Sequence, residues 1–275
     1  MPLTLARFSI LTAFCTFLLL IAGALVTSTG SGLAVPDWPL SFGQFFPRME
    51  GGVFYEHGHR MIAGTVGLMT LVLTAWLWAS ETRRWLCWLG TFAALAVVAQ
   101  AALGGLTVLF KLPPQISIAH AILAQTFFCL TVSLAFFMNR EAGSSTMAFR
   151  MDASGILSVS MTALLFIQLT LGAALRHIGS SSYLVLHASV AGLAAALSFT
   201  LLFRERGGDL FRPALAVASL ILVQACLGAL SVFPAFVPLD LSWAARTLVA
   251  TSHVALGAVI LASSLYITLR SMAKA

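Results

Sequence analysis

Eight apolar runs divide the chain, at roughly 8–27, 57–79, 85–109, 116–138, 155–175, 183–203, 213–232 and 247–269. About twenty apolar residues are what a helix needs to cross a bilayer. Inside lipid a segment must satisfy its own backbone hydrogen bonds, which leaves helices or a closed barrel. The alternating ten-residue pattern of barrel strands is missing. Composition agrees: 60% of the residues are hydrophobic and 9% are charged, against about a quarter charged in soluble domains. The fold class expected is therefore all-α integral membrane, with eight transmembrane helices.

The formal charge is +6, but the basic residues sort by loop and form no patch for nucleic acid. With the N-terminus inside, one side of the membrane receives Arg7, Arg83, Arg84, Arg140, Arg150, Arg204, Arg206, Arg212, Arg270 and Lys274. The other receives Arg48, Arg60, Lys111, Arg176 and Arg246. This asymmetry follows the positive-inside rule, so both termini are expected in the cytoplasm. The run at 8–27 is long for a signal-peptide core and no A-x-A site follows it, so it is read as helix one. Cys15, Cys87, Cys129 and Cys226 all fall inside the expected spans without a CxxC pair, and are read as buried structural thiols.

The chain also repeats itself. QAALGGLTV at 100–108 matches QACLGALSV at 224–232, and GALVTSTGS from Gly23 matches GAALRHIGS from Gly172. YEHGHRMIAG from Tyr55 matches YLVLHASVAG from Tyr183. Two tandem four-helix bundles are expected, residues 1–140 and 154–275, joined by a solvated cytoplasmic linker at 141–153 rich in Gly and Ser. Four is an even number, so both units face the same way, in a parallel pseudo-twofold repeat. Gln100 and Gln224, at matched positions, are read as interhelical hydrogen-bonding groups, and the LGGL and LGAL steps as close packing.

Four of the six histidines, His59, His120, His187 and His253, lie near the start of an even-numbered span. All even spans begin on the outer side, so these four share one layer, about 5–10 Å below the boundary at 1.5 Å per residue. The repeat gives one pair to each unit: His59 with His120, and His187 with His253. Two imidazoles at matched depth on neighbouring helices are what a haem iron needs. A proton pathway and hydrogen-bonded packing are the alternatives, while zinc would want further Cys, Asp or Glu ligands. His57 falls about 200° round the helix from His59 and His177 in an outer loop, and both are expected at a surface or interface.

The two halves differ where it matters. Glu56, His59 and Arg60, spaced i, i+3 and i+4, share one helical face. Opposite Glu56 and Arg60 the second half has Leu184 and Ala188. Ionisable residues at this depth are costly and point to function. A carboxylate and a guanidinium beside one cofactor suit chemistry; ligands alone suit electron transfer. A local ion pair that neutralises the helix mouth, or an Arg60 that holds a haem propionate, is the bland alternative.

The ExxHR motif at Glu56 to Arg60, the three partner histidines, the duplicated unit and TGSGLAVPDWP at 29–39 closely resemble the haem A synthase family over nearly the whole chain. The resemblance implies a membrane oxidoreductase of cytochrome oxidase biogenesis that converts haem O to haem A, oxidising a peripheral methyl to a formyl group by successive hydroxylations. It implies that His59 and His120 hold the substrate haem O, that His187 and His253 hold a haem b, that Glu56 is the catalytic residue, and that Arg60 positions the haem. Many bacterial relatives carry a cysteine pair where this chain has Val35 and Ser41. Asp37 and Trp38 remain to shape that loop over the substrate site.

A dihaem b-type cytochrome passing electrons between quinol and a partner would explain the four histidines equally well, but not the asymmetric Glu56 and Arg60. A parallel-repeat transporter would bind no haem. Lipid, a haem O-producing enzyme and an electron donor or acceptor are the expected partners, with oligomers open and nucleic acid excluded. The short N-terminus without an Arg/Ser-rich transit segment points to a bacterial plasma membrane.

Overall fold

The structure, a computed structural model, describes residues 3–139, 152–232 and 240–272. Among them are eight helices: α1 (Leu3–Ser28), α2 (Gly52–Ser80), α3 (Arg84–Leu109), α4 (Pro114–Met138), α5 (Ala153–Ile178), α6 (Ser181–Arg204), α7 (Phe211–Val232) and α8 (Trp243–Met272). All eight are long and apolar enough to cross a membrane, and the described residues contain no strand. The expected linker falls almost wholly outside the described residues.

The chain forms two compact units by contact. One holds α1 to α4 with the first part of α8, to Ala255; the other holds α5 to α7 with α8 from Leu256. In the first unit, α1 packs on α2 and α4, and α3 packs on the same two, so the four helices close into a ring. Leu73, Leu77, Leu86, Phe127 and Leu134 fill its interior. In the second, α6 packs on α5 and α7. There Thr162 Oγ1 meets Ser264 Oγ at 2.6 Å and Thr268 Oγ1 at 2.8 Å, and Ser158 Oγ meets Ser271 Oγ at 2.9 Å. Hydroxyls that pair across helices spare lipid-facing surface from polarity, at about 1 kcal/mol each.

Helix ends follow local chemistry. At the end of α1, Ser31 N–H donates to Val26 O and Gly30 N–H to Thr27 O, with Gly30 at φ +69°. That is a Schellman stop, and glycine carries its left-handed residue without a Cβ penalty. The end of α3 uses the same pair of bonds, Leu112 N–H to Thr107 O and Lys111 N–H to Val108 O. The connection from α5 to α6 is only Gly179 and Ser180, whereas α1 and α2 are joined by residues 29–51.

Only Cys87 of the four cysteines is fully buried. Cys15 and Cys129 are half-buried and Cys226 is exposed, because α7 turns that position away from its neighbours; the expectation of four buried thiols holds for one.

Candidate functional site

The long connection between α1 and α2 does not hang free. Asp37 accepts hydrogen bonds from Phe42 N–H at 2.7 Å and Gly43 N–H at 2.8 Å. Ser41 and Gln44 exchange both backbone hydrogen bonds at 3.0 Å, which closes a tight turn whose central residues, Phe42 and Gly43, have φ of +55° and +70°. Such turns want positive φ at both central positions, and Phe42 adopts it at a steric cost that Asp37 helps to offset. The two backbone N–H groups also hold the Asp37 carboxyl below its ordinary value, that of Gly43 contributing most.

The first turns of α2 grip this loop. Glu56, 3% exposed, accepts from Val35 N–H through Oε2 at 2.8 Å and from Arg60 Nη2 through Oε1 at 2.6 Å. Arg60 Nη1 donates to the carbonyls of Asp37 at 2.7 Å and Leu40 at 2.8 Å. His57 Nδ1 meets Ser41 Oγ at 2.8 Å. His57 is therefore buried against the loop and is not the surface residue that its position round the helix suggests; the face opposite His59 is covered by chain from far away in sequence. Val35 and Ser41 are both fully buried.

His59 and His120 are brought into the same unit. Each imidazole lies on a bare glycine. A Cβ added at Gly23 of α1 would sit 3.2 Å from His59 Nε2, and one at Gly104 of α3 would sit 3.2 Å from His120 Cε1. Gln100 Nε2 donates to His120 O at 3.0 Å and faces His120 Nε2 at 3.3 Å. An amide nitrogen only donates, so His120 Nε2 carries its lone pair toward Gln100. The buried Gln100 Oε1 has no hydrogen-bond partner among the described residues.

In the second unit His187 repeats the arrangement: a Cβ at Gly172 would sit 3.0 Å from its Cε1. Its Nδ1 lies 3.1 Å from Gln168 O. A carbonyl only accepts, so Nδ1 bears the proton and Nε2 the lone pair, the tautomer an iron ligand needs. His253 lies half-buried in the part of α8 that belongs to the first unit. His177 is half-buried in the last turn of α5, and not in the outer loop where the sequence suggested it, because α5 runs on to Ile178.

These features fit a haem. His187 keeps on Nε2 the lone pair that an iron needs, bare glycines seat the imidazoles of His59, His120 and His187, and Gln100 would have to release His120 Nε2 for the iron. Among the described residues no cluster of three or more His, Cys, Asp or Glu could hold a metal by itself, so a lone hard or tetrahedral ion has too few ligands here. The glycines and Gln168 escaped the sequence reading; the pairing of Gly23 with Gly172 across the repeat was the available signal.

Fold and site together define a multi-pass helical membrane protein whose first unit holds a histidine pair and a pinned loop between α1 and α2. Residues 6–186 match the cytochrome oxidase assembly protein family COX15-CtaA; the match takes in Glu56, His59, Arg60 and His120 and ends one residue before His187. The chain belongs to that family. It is similar to the heme A synthase of Bacillus pumilus, 33% identical over 149 residues, which is 53% of this chain and 48% of the relative. It is also similar to the heme A synthases of Bacillus licheniformis, 34% identical over 117 residues (40% and 37%), and Symbiobacterium thermophilum, 30% identical over 171 residues (58% and 55%). The chain spans about half the length of these curated relatives, or less.

Proposed function

We propose that this protein is a haem A synthase of a bacterial plasma membrane, acting on haem O held in its first unit. The observation that carries the reading is the placement of His59 and His120 on bare glycines, with the buried carboxylate of Glu56 one turn from His59 and the Arg60 guanidinium bonded to it, neither of which the second half has. Haem O is the substrate, and the reacting atom is a methyl at its edge. The two histidines grip the iron and so act as handles, orienting the ring.

Glu56 lies one helical turn from His59. Two hydrogen bonds fix its carboxylate, one to each oxygen, and each oxygen keeps a further lone pair. Fixed in place and shielded from water, it stabilises positive charge that develops at the oxidised carbon, or takes the proton of an attacking water. Arg60 sets the angle of that carboxylate. Through Asp37 and Leu40 it also keeps the loop over the helix mouth, which excludes bulk water. In the sequence repeat His187 pairs with His253, and these two would hold a haem b. That group supplies one-electron transfer, and nothing but ligands and apolar helix is required around it. The expected partners are the enzyme that makes haem O and an acceptor for the electrons removed.

One observation favours a second reading. Apart from the bond between the two side chains, every hydrogen bond of the Glu56–Arg60 pair described above goes to the loop, which would suffice for a dihaem electron carrier with a capped mouth. Extraction and chromatography of the haems bound to wild type and to Glu56→Gln, both expressed with a haem O supply, separates the two. Haem A or hydroxylated haem O in the wild type, with haem O accumulating unreacted in the variant, supports the synthase. Haem b alone in both proteins puts the electron carrier in its place.

A further inference from the structure

The residues that break the sequence repeat converge on one structure. Glu56 and Arg60, opposite Leu184 and Ala188, hold Val35, Asp37 and Leu40 of the outer loop. Gly105, opposite Ala229, receives Trp38 of the same loop. The second half joins α5 to α6 through Gly179 and Ser180 alone, and so has no loop to receive. The asymmetric residues thus meet in one lid.

Trp38 is its wedge. A Cβ at Gly105 would lie 2.8 Å from Trp38 Cδ2 and 3.0 Å from Cε2 and Cε3, so the indole lies on bare backbone of α3. The atoms in contact belong to a rigid bicycle that has no flexible end to swing aside. The neighbouring residue, Gly104, is the one against which His120 rests. Two adjacent glycines on one helix thus seat the lid's wedge and the ligand's imidazole.

We infer that Trp38 and Gly105 are positioning residues for the reaction, a wedge and seat that hold the outer loop closed over the first unit between its successive oxidations. The inference rests on the function proposed above. A methyl that must be oxidised more than once passes through a more polar hydroxylated stage, and an open mouth lets that species leave or lets water in. Closure at Trp38 also keeps the carbonyls of Asp37 and Leu40 on Arg60, and so keeps Glu56 at its fixed angle.

The test uses Gly105→Ala, which installs the residue of the second half, and the double variant Gly105→Ala with Trp38→Leu, which removes the clash. Lid position is read from Val35→Cys in each background, by the rate at which a membrane-impermeant maleimide labels residue 35 of the purified, haem-loaded protein, counted by peptide mass mapping apart from the native cysteines. Product is read as the ratio of hydroxylated haem O to haem A. Gly105→Ala should label several-fold faster and raise that ratio several-fold, with haem b content unchanged, and the double variant should move both back toward wild type. Equal labelling in wild type and Gly105→Ala, or an unmoved product ratio beside faster labelling, overturns the inference. Labelling that responds as expected while no protein oxidises haem O refutes the proposed function and this role in the reaction, and leaves Trp38 as a lid wedge only.

Discussion

Arg60 donates to three acceptors on two segments of chain, the carbonyls of Asp37 and Leu40 in the loop and the carboxylate of Glu56 on its own helix. Its ion pair with Glu56 is largely buried, the two side chains being 14% and 5% exposed. Breaking such a pair from one side leaves a charge without compensation, at about 3–5 kcal/mol. Arg60→Met should therefore cost stability on that scale, measured by thermal unfolding in detergent, and should leave the loop open to protease. Arg60→Lys should recover part of the loss only, since one ammonium cannot reproduce the planar fork. At the same scale, Gly172→Ala should push His187 aside and lower the haem content of the second unit, while haem O binding to the first unit is retained. Spectra of the reduced protein before and after haem O addition check this.

The outer loop is the element on which the halves differ, and its pH dependence follows from Asp37. The folded protein holds this carboxyl below its ordinary 3.8, so folding of the turn gains from the ionised form. That contribution is complete above the unfolded value and is lost as pH falls through the lower, folded one. Cleavage of the loop by an acid-active protease should stay slow down to about pH 4 and rise below it; in Asp37→Asn it should be faster above that pH and lack this acid step. The helices themselves were legible in the sequence, because twenty apolar residues in lipid have one backbone solution. The loop was not. Its fold depends on hydrogen bonds from residues 35–43 to residues 56–60, and neither stretch has a periodicity that announces the other. His57 was misplaced for that reason. Gln100 was read as an interhelical hydrogen bond and makes one; that its partner is His120 required the register of α3 on α4. The LGGL step was read as helix packing, whereas its two glycines serve His120 and Trp38.

Across the whole molecule, family membership, eight apolar helices and the charge pattern agree on a multi-pass membrane protein. The charge pattern predicts more: a reporter fused after residue 275 and a tag inserted near residue 145 should both face the cytoplasm, and a tag inserted at residue 47 should not. Protease protection in spheroplasts and inverted vesicles checks all three. A tag at 47 that proved cytoplasmic would turn over the outer placement of the loop, and with it the side on which the first unit is capped.

The cap is fastened by charge and hydrogen bonds. Val35 and Ser41, at the two positions where a cross-link could have been, are instead a backbone donor to Glu56 and a hydroxyl on His57. Such a clasp forms as soon as the segment folds and consumes no electron acceptor. Maturation of this domain therefore makes no demand on the thiol-oxidising machinery of the cell envelope, and a reductant added outside the cell should leave it untouched.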